Sequence, residues 1–230
     1  MKKILLSSVL LVSMVQAEYS GFESQQLSVG AQVGIFGFGL NIKDKMNDTI
    51  GVRAGFDMFS ISGVDIGDNE LKYEADYDAS IQNYSLLVDW HPWKGSFRTS
   101  AGLVLNNSKI EGVITPSSNL DFEIQGHKFE AKDVGSIDTL VDFDSIAPYI
   151  GIGGDTSFNK KKGFGFTYDL GIIFQGSAKI GYTPHFTDSA TQTIKDDLTN
   201  RLEDEKKSLQ DDLDNYKILP YLSIGFNYKF

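Results

Sequence analysis

The residues from Leu219 to Phe230, LPYLSIGFNYKF, alternate. Leu222, Ile224, Phe226, Tyr228 and Phe230 share one side of an extended chain, and Ser223, Gly225, Asn227 and Lys229 share the other. A period of two keeps an apolar face together only in a strand; wound as a helix, the same residues would scatter around the axis. The stretch is therefore a ribbon with one greasy face and one small or wet face. A strand in a soluble sandwich alternates in the same way, so the rest of the chain must say what the greasy face meets.

The opening residues, MKKILLSSVLLVSMVQA, set Lys2 and Lys3 before an apolar run from Ile4 to Val15, with Val15 and Ala17 preceding Glu18. This is the pattern of a secretory signal peptide over residues 1–17, with cleavage expected after Ala17. The run is too short for a spanning helix, and no Cys stands at the cleavage site to take a lipid. No other stretch approaches the roughly 18 apolar residues that a membrane helix needs. The mean hydropathy of −0.18 is compatible with a membrane barrel, where lipid-facing and lumen-facing residues average out. Cys is absent, which excludes disulfides and thiolate metal sites. Removing Lys2 and Lys3 takes the net charge from −10 to −12, a balance that repels nucleic acid. The 23 Gly and 16 Phe suit the close packing and aromatic girdles of barrels. Residues 18–230 are expected to form one barrel domain.

Along the chain, the alternation recurs. Leu27 to Ile42 changes parity midway, which predicts one strand with a β-bulge. Ile50, Val52, Ala54, Phe56 and Met58 form the cleanest apolar set. Tyr73 to Trp90 reads as one extended run that again changes phase, from Tyr73, Ala75, Tyr77 and Ile81 to Tyr84, Leu86, Val88 and Trp90. HPWKGS turns it into a strand bearing Phe97, Thr99, Ala101, Leu103 and Leu105. Asn107 to Asp144 is the longest irregular stretch, with FEIQGHKFEA as a short hairpin. Order returns with Ile146, Pro148, Ile150 and Ile152, then with Phe164, Phe166, Tyr168, Leu170, Ile172 and Phe174, and Ala178 to Phe186 is a weaker strand. Residues 187–217 differ in kind: they are dense in charge, with Leu198, Leu202, Leu209, Leu213 and Tyr216 at helical spacing, a start capped by Asp188 or Ser189, and a stop at Pro220. The expected setting of this helix is against the barrel mouth, with partner binding as the alternative.

A sheet in hydrocarbon must have no unpaired edge, so these strands are expected to close. Counting Ala178 to Phe186 gives eight, and pairing within Asn107 to Asp144 raises the count to ten. The predicted fold is all-β, an antiparallel transmembrane β-barrel of eight strands with one acidic helix between the last two. Arg53, Asp57, Asp89, Arg98, Asp169 and Lys229 all fall on the parity opposite to the apolar set of their strand. An Arg on the lipid face near mid-bilayer costs about 2–4 kcal/mol, so these six are expected inside, as a lumenal charge network.

Taken in order, VGIFGFGLNI, GVRAGF, LLVDWHPWKGSFRTSAGLVLNN, APYIGIGG, GFTYDLGIIFQGS and LQDDLDNYKILPYLSIGFNYKF resemble the small OmpA-like outer-membrane β-barrel family of Gram-negative bacteria, whose members are largely uncharacterised. The Asp-Trp-His-Pro hairpin, the PYIGIG strand and the acidic helix running into the final strand carry the resemblance. It implies a barrel in the cell outer membrane, surrounded by outer-membrane lipids. It also implies that Leu222, Ile224, Phe226, Tyr228 and Phe230 are the barrel-insertion signal read by the barrel-assembly machinery. No segment matching an OmpA-type peptidoglycan-binding domain is present, so no tether to the cell wall is expected.

Catalytic chemistry is hard to place. His91, His127 and His185 are the only imidazoles, and neither HExxH, GxSxG nor a P-loop occurs. The acidic stretch with Asp65, Asp68, Glu70, Glu74, Asp76 and Asp78 is a candidate for divalent cations but lacks EF-hand spacing. No cofactor is expected. The sequence points to a non-enzymatic barrel with a structural or surface-interaction role. A small porin-like channel and an outer-membrane lipid-modifying enzyme are the alternatives.

Overall fold

The computed structural model describes residues 26–65, 73–116, 121–143, 145–213 and 217–230; the predicted signal peptide and part of the acidic stretch, Asp68 and Glu70 included, lie outside them. Thirteen strands, one α-helix and a 3-10 turn at Ala131–Asp133 are described: β1 (Leu27–Gly34), β2 (Gly37–Lys45), β3 (Ile50–Asp65), β4 (Tyr73–Trp90), β5 (Phe97–Asn106), β6 (Lys109–Pro116), β7 (Phe122–Ile124), β8 (His127–Phe129), β9 (Val134–Asp142), β10 (Ile146–Asp155), β11 (Gly163–Phe174), β12 (Lys179–Phe186), α1 (Gln192–Leu213) and β13 (Ile218–Lys229).

Eight of these strands close a cylinder. The order is β1-β2-β3-β4-β5-β10-β11-β13, and β13 returns to pair antiparallel with β1 from Ser28↔Lys229 to Gly34↔Ser223. The alternating tail thus zips to the first strand, and every strand of the cylinder has two neighbours. The apolar sets stand outward as read: Leu86 is 60% exposed, Phe226 67% and Phe38 72%. Trp93 and Phe97 lie 5.1 Å apart, Phe164 and Tyr228 5.0 Å, and Tyr228 and Phe230 5.3 Å, so aromatic rings cluster around the end that carries both termini of the barrel. Among the described residues no helix is long and apolar enough to cross a membrane.

The count of eight agrees with the sequence reading, but two of its members do not. Leu27 to Ile42 is not one bulged strand. It is the hairpin β1–β2, folded at Ile35–Phe36 with Gly34 opposite Gly37, and Gly37 takes φ +84°, a conformation glycine adopts without a Cβ clash. The parity change came from the turn. Conversely, Ala178 to Phe186 forms β12 outside the cylinder. Nor do parts of Asn107 to Asp144 enlarge the barrel to ten strands: β6 and β9 leave its wall instead.

What they build is a lobe. β4 is 18 residues long, twice what a barrel wall needs. Its second half, Asn83 to Trp90, pairs with β5, and its first half, Tyr73 to Ser80, pairs with β6. β6 pairs with β9 and β9 with β12, so the sheet branches off the cylinder at one end. Helix α1 and the hairpin β7–β8 cover one face of the branch, where Phe122, Phe129, Val134, Ile137, Leu198 and Leu202 form a core of their own. The apparent phase shift in β4 has this cause. Ala75 and Leu87 lie on the same face of one unbroken strand, and the apolar set changes parity because the surroundings change, from helix to lumen.

Helix α1 therefore rests on β12 and the β7–β8 hairpin rather than on the barrel mouth. Its start is capped by Thr191, whose Oγ1 accepts from the Ile194 amide at 3.4 Å, and not by Asp188 or Ser189. Ser189 instead donates to the Lys132 carbonyl at 2.7 Å.

With the strands regrouped, connection lengths sort by end. The links 46–49, 91–96 and 156–162 are short and lie at the end with the termini; at the other end β3 stops and β4 starts, β5 stops and β10 starts, and β11 stops and β13 starts, with the tight 35–36 turn among them.

Candidate functional site

Eight strands enclose a cylinder just wide enough for side chains to fill, and the inward residues here do so in layers. At the end with the termini, the 156–162 turn folds Phe158 under the barrel. Its ring stacks on His91 at 3.5 Å and 8°, and the Lys45 and Lys229 ammonium groups lie 5.0 and 5.9 Å from it. Lys229 Nζ donates to the Phe158 carbonyl at 2.7 Å. His91 Nδ1 pairs with the Gly95 carbonyl at 2.8 Å, and burial in this turn lowers the pKa of the imidazole, favouring its neutral form.

Above this plug lies a layer of charge. Asp169 on β11 sits between two arginines: Arg53 Nη1 donates to its Oδ2 at 2.8 Å, and Arg98 Nη2 to the same oxygen at 2.9 Å. Arg53 Nη2 also reaches Asp89 Oδ1 at 3.1 Å, which accepts from Ser100 Oγ at 2.5 Å. On the same level, Lys43 Nζ donates to Asp155 Oδ2 at 3.0 Å, and Asn227 Nδ2 donates to both Asp155 oxygens. Arg98 has no exposed surface and Asp169 only 1%. Ionised groups this deep are retained only when each has opposite charge and further donors or acceptors around it, which this layer supplies.

The next layer is neutral except for Asp57, which accepts from Gln32 Nε2 at 2.7 Å; Gln32 Nε2 also reaches the Tyr221 hydroxyl at 2.8 Å. Over it, Phe36, Leu87, Val104, Ala147, Tyr149 and Ile173 pack into an apolar cap, with Tyr221 stacked on Phe36 at 5.6 Å. The Tyr149 ring lies across the facing glycines Gly151 and Gly171; a Cβ at Gly171 would stand 2.5 Å from its hydroxyl oxygen. Cavities between the layers are small. One near Gln32, Asp57 and Tyr221 and another near Lys43, Asp155 and Phe158 each measure about 20 Å3, room for about one water.

The six charges read from parity thus take three places. Arg53, Asp89, Arg98 and Asp169 meet in one cluster; Asp57 stands a layer above, bound to an amide and a phenol; Lys229 lies below, held by a carbonyl. Asp155 and Lys43, missed in the sequence, complete the charge layer. Asp155 was legible at the end of the IAPYIGIGGD alternation, two residues on from Gly153, whereas Lys43 lay just beyond the stretch read as strand, which ended at Ile42, and Gln32 carries no charge that would exclude it from the outer face.

The terminal residues Leu222, Ile224 and Phe226 face outward, Tyr228 is half-buried at the aromatic end, and Phe230 is 41% exposed. His127 and His185 stand on strands of the lobe, β8 and β12. His127 Nε2 lies 3.2 Å from Asp197 and His185 Nε2 2.9 Å from Asp138, in exposed pairs. Of the acidic stretch, Asp78 accepts from the Gly63 amide at 2.9 Å; among the described residues no three His, Asp or Glu side chains gather as a metal site would require.

No family model and no curated protein matches this sequence. Among solved structures, Acinetobacter baumannii CarO2 superposes with a TM-score of 0.55 at 22% identity over 89% of this chain and 98% of that one. Acinetobacter baumannii CarO gives 0.53 at 20% identity over 88% and 97%. At such identities the likeness is one of fold, and it extends over nearly the whole of those chains.

Proposed function

We propose that this chain is a non-enzymatic outer-membrane β-barrel in which the cylinder serves as a non-conducting anchor and the lobe as a surface for interaction. The observation that carries the reading is the filled interior. Plug, charge layer, amide layer and apolar cap follow one another along the axis, and the cavities between them hold about one water each. The apolar outer belt and the export leader support placement in an outer membrane, with lipids against Leu86, Ile150, Ile224 and their neighbours. Short links face the periplasm in such barrels and long ones the exterior, so the lobe of β6–β9, β12 and α1 projects outward from the cell. The terminal set Leu222, Ile224, Phe226, Tyr228 and Phe230 is the segment engaged by the assembly machinery on the way in.

Planar-bilayer recording on refolded, full-length protein tests the anchor reading. The expected trace is flat at the potentials that open porins. Reproducible unitary conductance would overturn it in favour of a small channel, and Arg53→Ala would then be expected to alter the current.

A further inference from the structure

We propose that a cleft at the root of the lobe binds the saccharide part of a glycolipid seated in the surrounding leaflet. The inference rests on the reading that the apolar belt lies in a membrane. The cleft measures about 290 Å3 and opens where β4 leaves β5 for β6.

Its place follows from the alternation. On β4 the outward residues run Trp90, Val88, Leu86, Tyr84, and then Gln82, Ser80 and Asp78. On β3 they run Phe56, Met58, then Ser60; beside β5, Leu103 and Leu105 give way to Asn107. Register holds these changes at one level: Phe56 is opposite Tyr84, Met58 opposite Gln82, and Tyr84 opposite Leu105. Three neighbouring strands therefore turn from apolar to hydroxyl and amide together, on the same face. A lipid with its acyl chains along Leu86, Met58 and Leu105 has its headgroup at this height, so the cleft continues the lipid-facing surface rather than standing apart from it.

The lining selects the kind of headgroup. Ser60, Ser62, Ser80, Gln82 and Asn107 each present groups that donate and accept. Asp78 and Glu111 only accept, and Asp78 is held in place by the Gly63 amide. Lys109 is the single cation against these two carboxylates, a balance that disfavours a phosphate. A ring of neutral hydroxyls fits: its O–H groups donate to the carboxylates while its oxygens accept from the amides and hydroxyls. Beneath the cleft, Tyr84 is 45% exposed and packs on Phe56 at 4.8 Å, offering a ring for the C–H face of a sugar. Small-ligand sites begin at about 300 Å3, so the space suits a short saccharide.

The test uses full-length protein in nanodiscs made with diglucosyl diacylglycerol, phosphatidylglycerol or phosphatidylcholine of matched acyl chains, with retained lipid read by native mass spectrometry. The glycolipid is expected to be retained on the order of tenfold over either phospholipid, and Gln82→Ala with Asn107→Ala to remove that preference. Ser60→Ala with Ser80→Ala, at an exposed and a half-buried position of the lining, serves as a second pair with the same expected outcome. Equal retention of the three lipids, preference for phosphatidylglycerol, or a glycolipid preference untouched by both pairs overturns the proposal. Failure of the chain to enter nanodiscs at all defeats the membrane reading itself, and the cleft proposal with it; insertion without glycolipid preference defeats only the latter.

Discussion

The two halves of β4 have the same backbone and the same two faces, yet they stabilise the protein in opposite ways. From Asn83 to Trp90 the inward face turns Asn83, Ser85, Leu87 and Asp89 into the filled lumen and the outward face is apolar and bare; in the first half the inward face carries Ala75 beneath the lobe's cover, and Asp78 and Ser80 stand on the other. In the barrel half, stability must come from backbone pairing and a satisfied interior, because the apolar side chains remain outside. In the lobe half it comes from an ordinary hydrophobic core, closed by Leu198 and Leu202 of α1 over Ile137 and Phe129. One strand is thus shared by a membrane-type and a water-type fold. What an inward position tolerates depends on which side of Gln82 it lies.

The largest expected effect is in the barrel. Asp169→Ala leaves Arg53 and Arg98, both buried, without the carboxylate they share, and removing one partner of such a group costs about 3–5 kcal/mol. Urea titration of refolded protein in micelles, followed by the loss of the compact band on unheated gels, should show a lower midpoint for the whole cylinder. An unchanged midpoint would mean that the charge layer is not structural.

In the lobe, Leu198→Ala opens a cavity under a side chain with no exposed surface, at a cost of about 2–5 kcal/mol. The loss should be local. Limited proteolysis should cut between β12 and β13 more readily while the compact band persists, since the β1–β13 seam does not involve the helix. If the cylinder melts with the lobe, the two halves are one cooperative unit and the contrast drawn above fails.

Much of this division was legible in the sequence, and what was hidden has a physical reason. The outward sets of β3, β5, β11 and β13 follow from a period of two, because a wall strand that turns one face out and the other into a filled interior alternates strictly. Three features were hidden. A two-residue turn inside GIFGFG reproduces the parity change of a bulge, so β1 and β2 merged. Ala178 to Phe186 alternates like a wall strand, but alternation reports a half-buried sheet and not which sheet. Phe158 lies in FNKKKG, where Gly and Lys mark a turn and nothing local shows a ring folding back onto His91. The charge layer was read because arginine and aspartate at inward positions exclude the lipid side, while Asn227 and Ser157, equally bound to Asp155, carry no such signal.

The smallest expected effect contrasts an exposed pair with the buried ones. Asp138→Ala removes the partner of His185, where both side chains are about half exposed, and such pairs contribute under about 1 kcal/mol. Neither the urea midpoint nor the proteolysis pattern should move measurably. A shift approaching that of Asp169→Ala would show that the lobe's surface ion pairs are less screened than their exposure implies.

The most direct measurement is a nitroxide scan along β4, made simple by the absence of native Cys. Single Cys substitutions from position 76 to position 90 in liposome-reconstituted protein are labelled, and collisions with oxygen and with a water-soluble nickel chelate are compared. Even positions from 84 to 90 should favour oxygen, even positions from 76 to 80 should favour nickel, and odd positions from 83 to 89 should meet neither. Strong nickel access at positions 86 and 88 would contradict a lipid-facing belt, and nickel access at 85, 87 and 89 would contradict a filled interior.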